Sequence, residues 1–165
     1  MNETNKQKFQ FPFLEIGQFL ALINIVSDVF TTRSTKVQWL VYPAVVLFVL
    51  VLVLWPWSML ALRKYGRISA SGSFLATTRL VDRGIYGVVR HPQYLGIVLL
   101  NITLLLLNQN WITASISLVS SLLLIFGIGE EEVILKKQFG EAYNSYCQRV
   151  PAFNIVKGFL LKFRN

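Results

Sequence analysis

The chain has 165 residues, 54% of them hydrophobic and only 15% charged, and its mean hydropathy is +0.53. A soluble domain of this length carries about 25% charged residues, so the composition excludes a disordered chain and points to an integral membrane protein of one domain. With one cysteine, Cys147, and one histidine, His91, the chain builds neither an internal disulfide framework nor a zinc site of the usual Cys/His kind. The net charge of +8 lies beside apolar segments and forms no soluble basic face. It therefore reads as a topology signal beside anionic lipid and not as a nucleic-acid surface.

Residues 1–10 are polar, carry Lys6 and Lys8, and lack the apolar core and cleavage site of a signal peptide. A first hydrophobic segment runs over 11–30, interrupted by Glu15, Asn24 and Asp28. Two readings of it stand: a membrane span, or an interfacial helix lying on the surface. From Leu40 to Leu62 there are 23 residues without a charge, about 35 Å of helix and enough to cross a bilayer. Residues 63–91 form a polar, basic connector, long for a loop without a function of its own. Pro92 opens the next helix, as proline does at a first helical position. That helix ends near Leu107, Asn108-Gln109-Asn110 turns the chain, and a second arm runs from Trp111 to about Gly129. The second arm continues as helix through Glu130-Glu131-Glu132 to Phe139, where Gly140 breaks it. A short helix over 141–150 ends at Pro151, and the tail from Asn154 rests on the membrane surface.

These segments predict an all-α membrane bundle of about four transmembrane helices. Residues 11–62 supply the N-terminal membrane helices, 63–91 a cytoplasmic connector, 92–153 a hairpin with a lid helix, and 154–165 a basic tail. Fourteen Lys and Arg fall on the side of the termini and the connector, against Arg33 and Lys36 on the other. By the positive-inside rule both termini are cytoplasmic.

Unusual residues cluster in two blocks on that side. The first runs from Gly84 to Gly96 and holds Tyr86, Arg90, His91 and Tyr94 just before a membrane helix. Glycines admit close backbone approach, and the helix start at Pro92 offers free N–H groups to an anion. Read structurally, Arg90 and His91 are interface anchors and the tyrosines belong to an aromatic belt. The second block is Glu130-Glu131-Glu132, followed by Phe139-Gly140, Tyr143, Tyr146 and Arg149. Glutamates at a helix C-terminal membrane edge oppose the usual cationic preference and call for a cationic partner, either a ligand or the arginines of the first block. Tyr143 and Tyr146 share a helix face, for packing or for a ligand. In the structural reading Arg149 pairs with Glu141 or Asp82, or meets lipid headgroups.

Taken together, Gly-Ile-Tyr-x-x-Val-Arg-His-Pro-x-Tyr-x-Gly and Glu-Glu-x-x-Leu-x-x-x-Phe-Gly-x-x-Tyr-x-x-Tyr-x-x-x-Val-Pro resemble the isoprenylcysteine carboxyl methyltransferase family, part of a wider group that includes phospholipid N-methyltransferases. The resemblance covers Leu80 to Phe153. It implies S-adenosylmethionine-dependent methyl transfer at the cytoplasmic membrane face, with Gly84, Ile85, Tyr86, His91, Tyr94 and Glu131 around the cofactor. It further implies Glu132 beside them and Arg149 near the reacting end, facing a substrate carboxylate or phosphate. No metal and no obligatory protein partner are implied. The expected acceptor is lipid-like or prenylated, and carboxyl O-methylation is the leading reaction. N-methylation of a phospholipid amine and S-methylation of a small thiol are the alternatives. A transporter or scaffold subunit is the non-enzymatic rival. Ala152 stands where the family often has arginine, which leaves the acceptor open.

Overall fold

In the computed structural model, residues 12–30, 37–66 and 79–164 are described, and every regular element among them is helical. The topology-bearing Lys6, Lys8, Arg33 and Lys36, together with connector residues 67–78, lie outside the described residues. In chain order the elements are α1 (Pro12–Phe30), a 3₁₀ turn (Gln38–Leu40), α2 (Val41–Tyr65), a second 3₁₀ turn (Gly84–Gly87), α3 (Pro92–Asn108), α4 (Trp111–Phe139), α5 (Glu141–Arg149) and α6 (Ile155–Arg164).

Among the described residues, two helices are long and apolar enough to cross a membrane: Gln38–Tyr65, which joins the first 3₁₀ turn to α2, and α4. The apolar helices α1 and α3 are shorter. The expectation of about four spans thus resolves into two full-length helices with two short ones packed beside them. In α2 the buried positions are Ala44, Val51, Leu54, Ser58, Ala61 and Leu62, a stripe of near-heptad spacing that packs on α3. The rest of α2 is just as apolar but exposed, with Val46, Leu52 and Leu60 each more than half accessible. An exposed apolar surface of that extent needs hydrocarbon around it, not water. The chain is a helical membrane bundle.

α4 sits between α1 and α3, and α2 covers the far side of α3. The hairpin joining α3 to α4 is set by side chains. Gln109 takes the left-handed conformation at φ 49°, and its amide bonds both the N–H and the carbonyl of Val37 at 3.1 and 3.0 Å. That contact ties the start of α2 to the hairpin. Asn110 caps α4 by accepting the Thr113 N–H at 2.9 Å.

α1 is not a surface helix. Leu14, Gly17, Ala21 and Asn24 form a buried stripe, and α1 packs lengthwise on α4. Its polar residue is absorbed by a buried network. Asn24 donates to Ser117 Oγ at 2.9 Å, and Ser117 donates to the Asn101 carbonyl at 3.1 Å. Asn101 donates to Ser120 Oγ at 2.9 Å, and Ser120 returns to the Gly17 carbonyl at 2.8 Å. Small residues that allow close approach and hydroxyl or amide bonds between helices are what hold helices together in lipid. A Cβ at Gly127 would lie 2.6 Å from Leu14 Cγ and 2.8 Å from the Leu14 backbone nitrogen, so α4 has no room there for a side chain. Gly127→Ala should therefore loosen α1 and destabilise the bundle by about 1–3 kcal/mol, read as a lower thermal unfolding midpoint in detergent. Gly129→Ala, with nothing within 4 Å of its Cβ position, should be near neutral. Equal midpoints for the two variants would refute close α1–α4 packing as the source of stability.

Candidate functional site

The two blocks expected from sequence fold around one partly open cavity. Leu62 at the end of α2, and Leu80 and Val81 at the end of the connector, form one wall. Tyr86 comes from the second 3₁₀ turn, and Arg90, His91 and Tyr94 from the start of α3. α4 contributes Glu131, Leu135 and Phe139, spaced by four so that they share a face, and α5 closes the cavity with Tyr143 and Tyr146.

Local backbone chemistry explains why α5 lies there. Gly140 ends α4 at φ 55°, a conformation that glycine adopts at little cost, and α5 turns back across the bundle. The segment after α5 then runs beside the first block. Arg90 N–H donates to the Pro151 carbonyl at 3.0 Å and His91 N–H to the Ala152 carbonyl at 3.3 Å. Position 152 thus serves the site through its carbonyl, which alanine supplies as well as any residue. Tyr146 anchors α5 from the other side, its hydroxyl donating to the Tyr86 carbonyl at 2.7 Å.

The electrostatic centre is Glu132. Its Oε1 accepts from Arg90 Nη2 at 2.6 Å, Arg90 Nε at 3.1 Å and His91 Nε2 at 3.2 Å. Arg90 Nη1 donates to the carbonyls of Cys147 and Val150 at 3.0 and 2.6 Å, satisfying groups that the end of α5 leaves open. One guanidinium therefore joins α3, α4 and α5. His91 lies between two carboxylates, with Nδ1 3.5 Å from Glu131 Oε2. Its ring is held by Tyr94, stacked at 5.9 Å, and by Phe153, edge-on at 6.5 Å.

Burial pulls the His91 pKa down, but the Glu131 and Glu132 carboxylates outweigh it and the net shift is upward. Arg90 shows the same balance, burial opposed and exceeded by its bonds to and attraction from Glu132. The phenols of Tyr86, Tyr143 and Tyr146 are pushed up chiefly by burial, so they remain neutral.

Two polar atoms on the cavity wall are left over. Glu131 Oε2 and the Tyr143 hydroxyl are buried and have no hydrogen-bond partner among the described residues. The 3.5 Å separation from His91 is an ionic contact without a formed hydrogen bond. Such orphans are costly unless a ligand or solvent completes them.

Of the residues expected from sequence, Tyr86, His91, Tyr94 and Glu131 line the cavity. Glu132 does not line it, and its Oε1 is engaged with Arg90 and His91. Gly84 and Ile85 do not line it. Ile85 is 1% exposed in a core with Leu54, Ala61, Val88 and Val89, and Gly84, at φ 65°, turns the backbone against α2. Arg149 does not reach it either. Its guanidinium is 4.0 Å from Asp82 and mostly exposed, and its Nε donates to the Ser145 carbonyl at 3.3 Å. Sequence reasoning gave no site role to Arg90, although the pairing sought for the glutamates was the available signal. Leu135 and Phe139 carried only the four-residue spacing from Glu131 as a clue.

Residues 39–142 match the family described as phospholipid methyltransferase. Protein-S-isoprenylcysteine O-methyltransferase B of Arabidopsis thaliana is 33% identical over 100 aligned residues, covering 55% of this chain and 51% of that protein. The chain spans about half the length of this curated relative. No solved structure matches the chain significantly.

The histidine makes the site's electrostatics measurable, because it is the only one in the chain. Its folded pKa is raised, so the stabilisation it gives is complete below the unfolded value of about 6.5 and is lost as pH rises through the folded value. The ring resonance should titrate with a midpoint above 6.5 by NMR. The thermal midpoint should fall as pH rises beyond that value, a slope that His91→Gln removes. A ring midpoint at or below about 6.5 would show that the carboxylates do not hold the imidazolium.

Proposed function

The chain belongs to the phospholipid methyltransferase family, and from that premise we propose that it transfers a methyl group from S-adenosylmethionine to a lipid-like acceptor, most simply the carboxylate of a prenylated cysteine. The observation that carries this reading is the pair of orphaned buried atoms, Glu131 Oε2 and Tyr143 Oη, in a cavity at the end of apolar helices. They offer an acceptor and a donor to a polar ligand while the surrounding helices admit an apolar one. Glu131, Tyr86, Tyr94 and His91 would hold the cofactor, and Leu135, Phe139 and Tyr143 would enclose it. When bound, S-adenosylmethionine supplies a sulfonium methyl group for an in-line displacement.

The chain's own residues then need to position and desolvate, which is sufficient for such a displacement. A carboxylate acceptor is ionised at neutral pH and asks for no base. His91 lies between two carboxylates that shift its pKa upward, and Glu132 Oε1 is occupied by Arg90 and His91. An amine acceptor would have to give its proton to Glu131, whose Oε2 makes no hydrogen bond among the described residues, and N-methylation of a phospholipid amine is the second reading. The pocket faces the cytoplasm in this proposal, from which a polar cofactor enters, and the acceptor approaches through the bilayer.

Glu131→Gln should weaken S-adenosylhomocysteine binding by roughly ten- to a hundredfold in calorimetry, the worth of one hydrogen bond to a charged group. With labelled cofactor, the wild type should place label in prenyl-cysteine as a base-labile methyl ester. Unchanged affinity in the variant would remove Glu131 from the cofactor site. Label found solely as base-stable methylamine in phospholipid would replace the carboxyl acceptor with the amine.

A further inference from the structure

A second, open cleft lies between the second 3₁₀ turn, α5 and α6. Tyr146 is the wall that it shares with the first cavity, and its hydroxyl is committed to the Tyr86 carbonyl. The cleft is lined by Arg83, Arg149 and Lys162, with Asp82 as the one carboxylate. Asp82 does not saturate these cations. Its oxygen is 4.0 Å from Arg149, and Arg83 and Lys162 have no ion pair among the described residues.

α6 explains what such a cleft faces. Val156, Phe159, Leu160 and Phe163 fall on one side of the helix and are 39–84% exposed, the pattern of a helix lying in a membrane interface. The opposite side is pressed on the chain. A Cβ at Gly158 would come within van der Waals overlap of the Val88 carbonyl oxygen, so only glycine allows α6 to sit this close. One turn further on, Lys162 Nζ lies 4.0 Å from the Cβ position of Gly87, at the cleft and not in the leaflet.

We propose that this cleft binds the phosphate of an anionic phospholipid headgroup, held by Arg83, Arg149 and Lys162, while the lipid's acyl chains lie along the exposed apolar side of α6. The charges are complementary: three cations against one carboxylate leave a positive surplus, which a phosphate diester without a headgroup cation would partly offset. Arginine forks suit phosphate oxygens. The acyl chains would cover the α6 stripe that the chain leaves open. This site is separate from the methyl-transfer cavity, and it gives Arg149 an anion to hold outside that cavity.

The test is lipid retention by the full-length protein in detergent, measured by native mass spectrometry with phosphatidylglycerol and phosphatidylcholine as probes. The wild type should hold phosphatidylglycerol at least tenfold more tightly than phosphatidylcholine. The variant combining Arg83→Gln, Arg149→Gln and Lys162→Gln should lose that preference. Lys136→Gln with Lys137→Gln, which removes charge from the end of α4, should keep it. Arg83→Gln alone, at an exposed position, should weaken retention several-fold and serves if the triple variant does not fold. Equal retention of the two lipids, equal loss in the α4 variant, or displacement of the lipid by millimolar inorganic phosphate would each overturn the proposal. S-adenosylhomocysteine binding is read separately, so failure here is distinguishable from failure of the methyltransferase reading.

Discussion

One carboxylate oxygen holds the site-bearing end of this protein together. Glu132 Oε1 accepts from both Arg90 and His91, and the pair with Arg90 is only 11% and 19% exposed at its two side chains. Charges this deep are costly alone, and removing one partner of such a pair costs about 3–5 kcal/mol because the other is left uncompensated. Their value lies in geometry as much as in stability. Arg90 carries the constraint onward to the Cys147 and Val150 carbonyls, so α5 is held where Tyr143 and Tyr146 roof the cavity. The covering helix, the start of α3 and the end of α4 are fixed by one guanidinium.

The same arrangement divides labour between adjacent glutamates. Glu132 is spent on structure, and Glu131, on the cavity wall, keeps one buried oxygen without a hydrogen bond among the described residues. The division follows from helix geometry, since neighbours on α4 are turned by about 100° and face different partners. Glu131 therefore shares its face with Leu135 and Phe139, and Glu132 faces Arg90. In lipid surroundings the bundle beneath is held by other means, the close approach of α1 to α4 at Gly17 and Gly127 and the Asn24–Ser117–Asn101–Ser120 network.

Much of this was legible in the sequence. The uninterrupted apolar run over Leu40–Leu62, Pro92 as a helix start, the Asn108–Asn110 turn and the Gly140 break are local signals, and α2, α3, α4 and α5 begin or end close to them. The two motif blocks located the cavity because they lie at helix ends that must meet. What the sequence did not disclose depends on rotation and docking. Ile85 was drawn into the site by its neighbours, whereas its side chain points into the α2 core. Arg149 is three residues beyond Tyr146, near the end of a nine-residue helix, and only the docked position of α5 shows that it faces Asp82. Asn24 made α1 look like a poor span until its partner on α4 was known. The choice for Arg90 between interface anchor and partner of the glutamates stays open in the sequence, because its three acceptors lie on elements distant in sequence.

The central claim is that Arg90 and Glu132 act as one unit to hold the covering helix over the ligand cavity. A double-mutant cycle with Arg90→Gln, Glu132→Gln and the combined variant, measured as S-adenosylhomocysteine affinity by calorimetry, tests it most directly. The two substitutions should be strongly non-additive, with a coupling energy within the range of about 0.5–3 kcal/mol found for groups in one network. Additive losses would show that the two side chains serve the site independently, and would contradict the account.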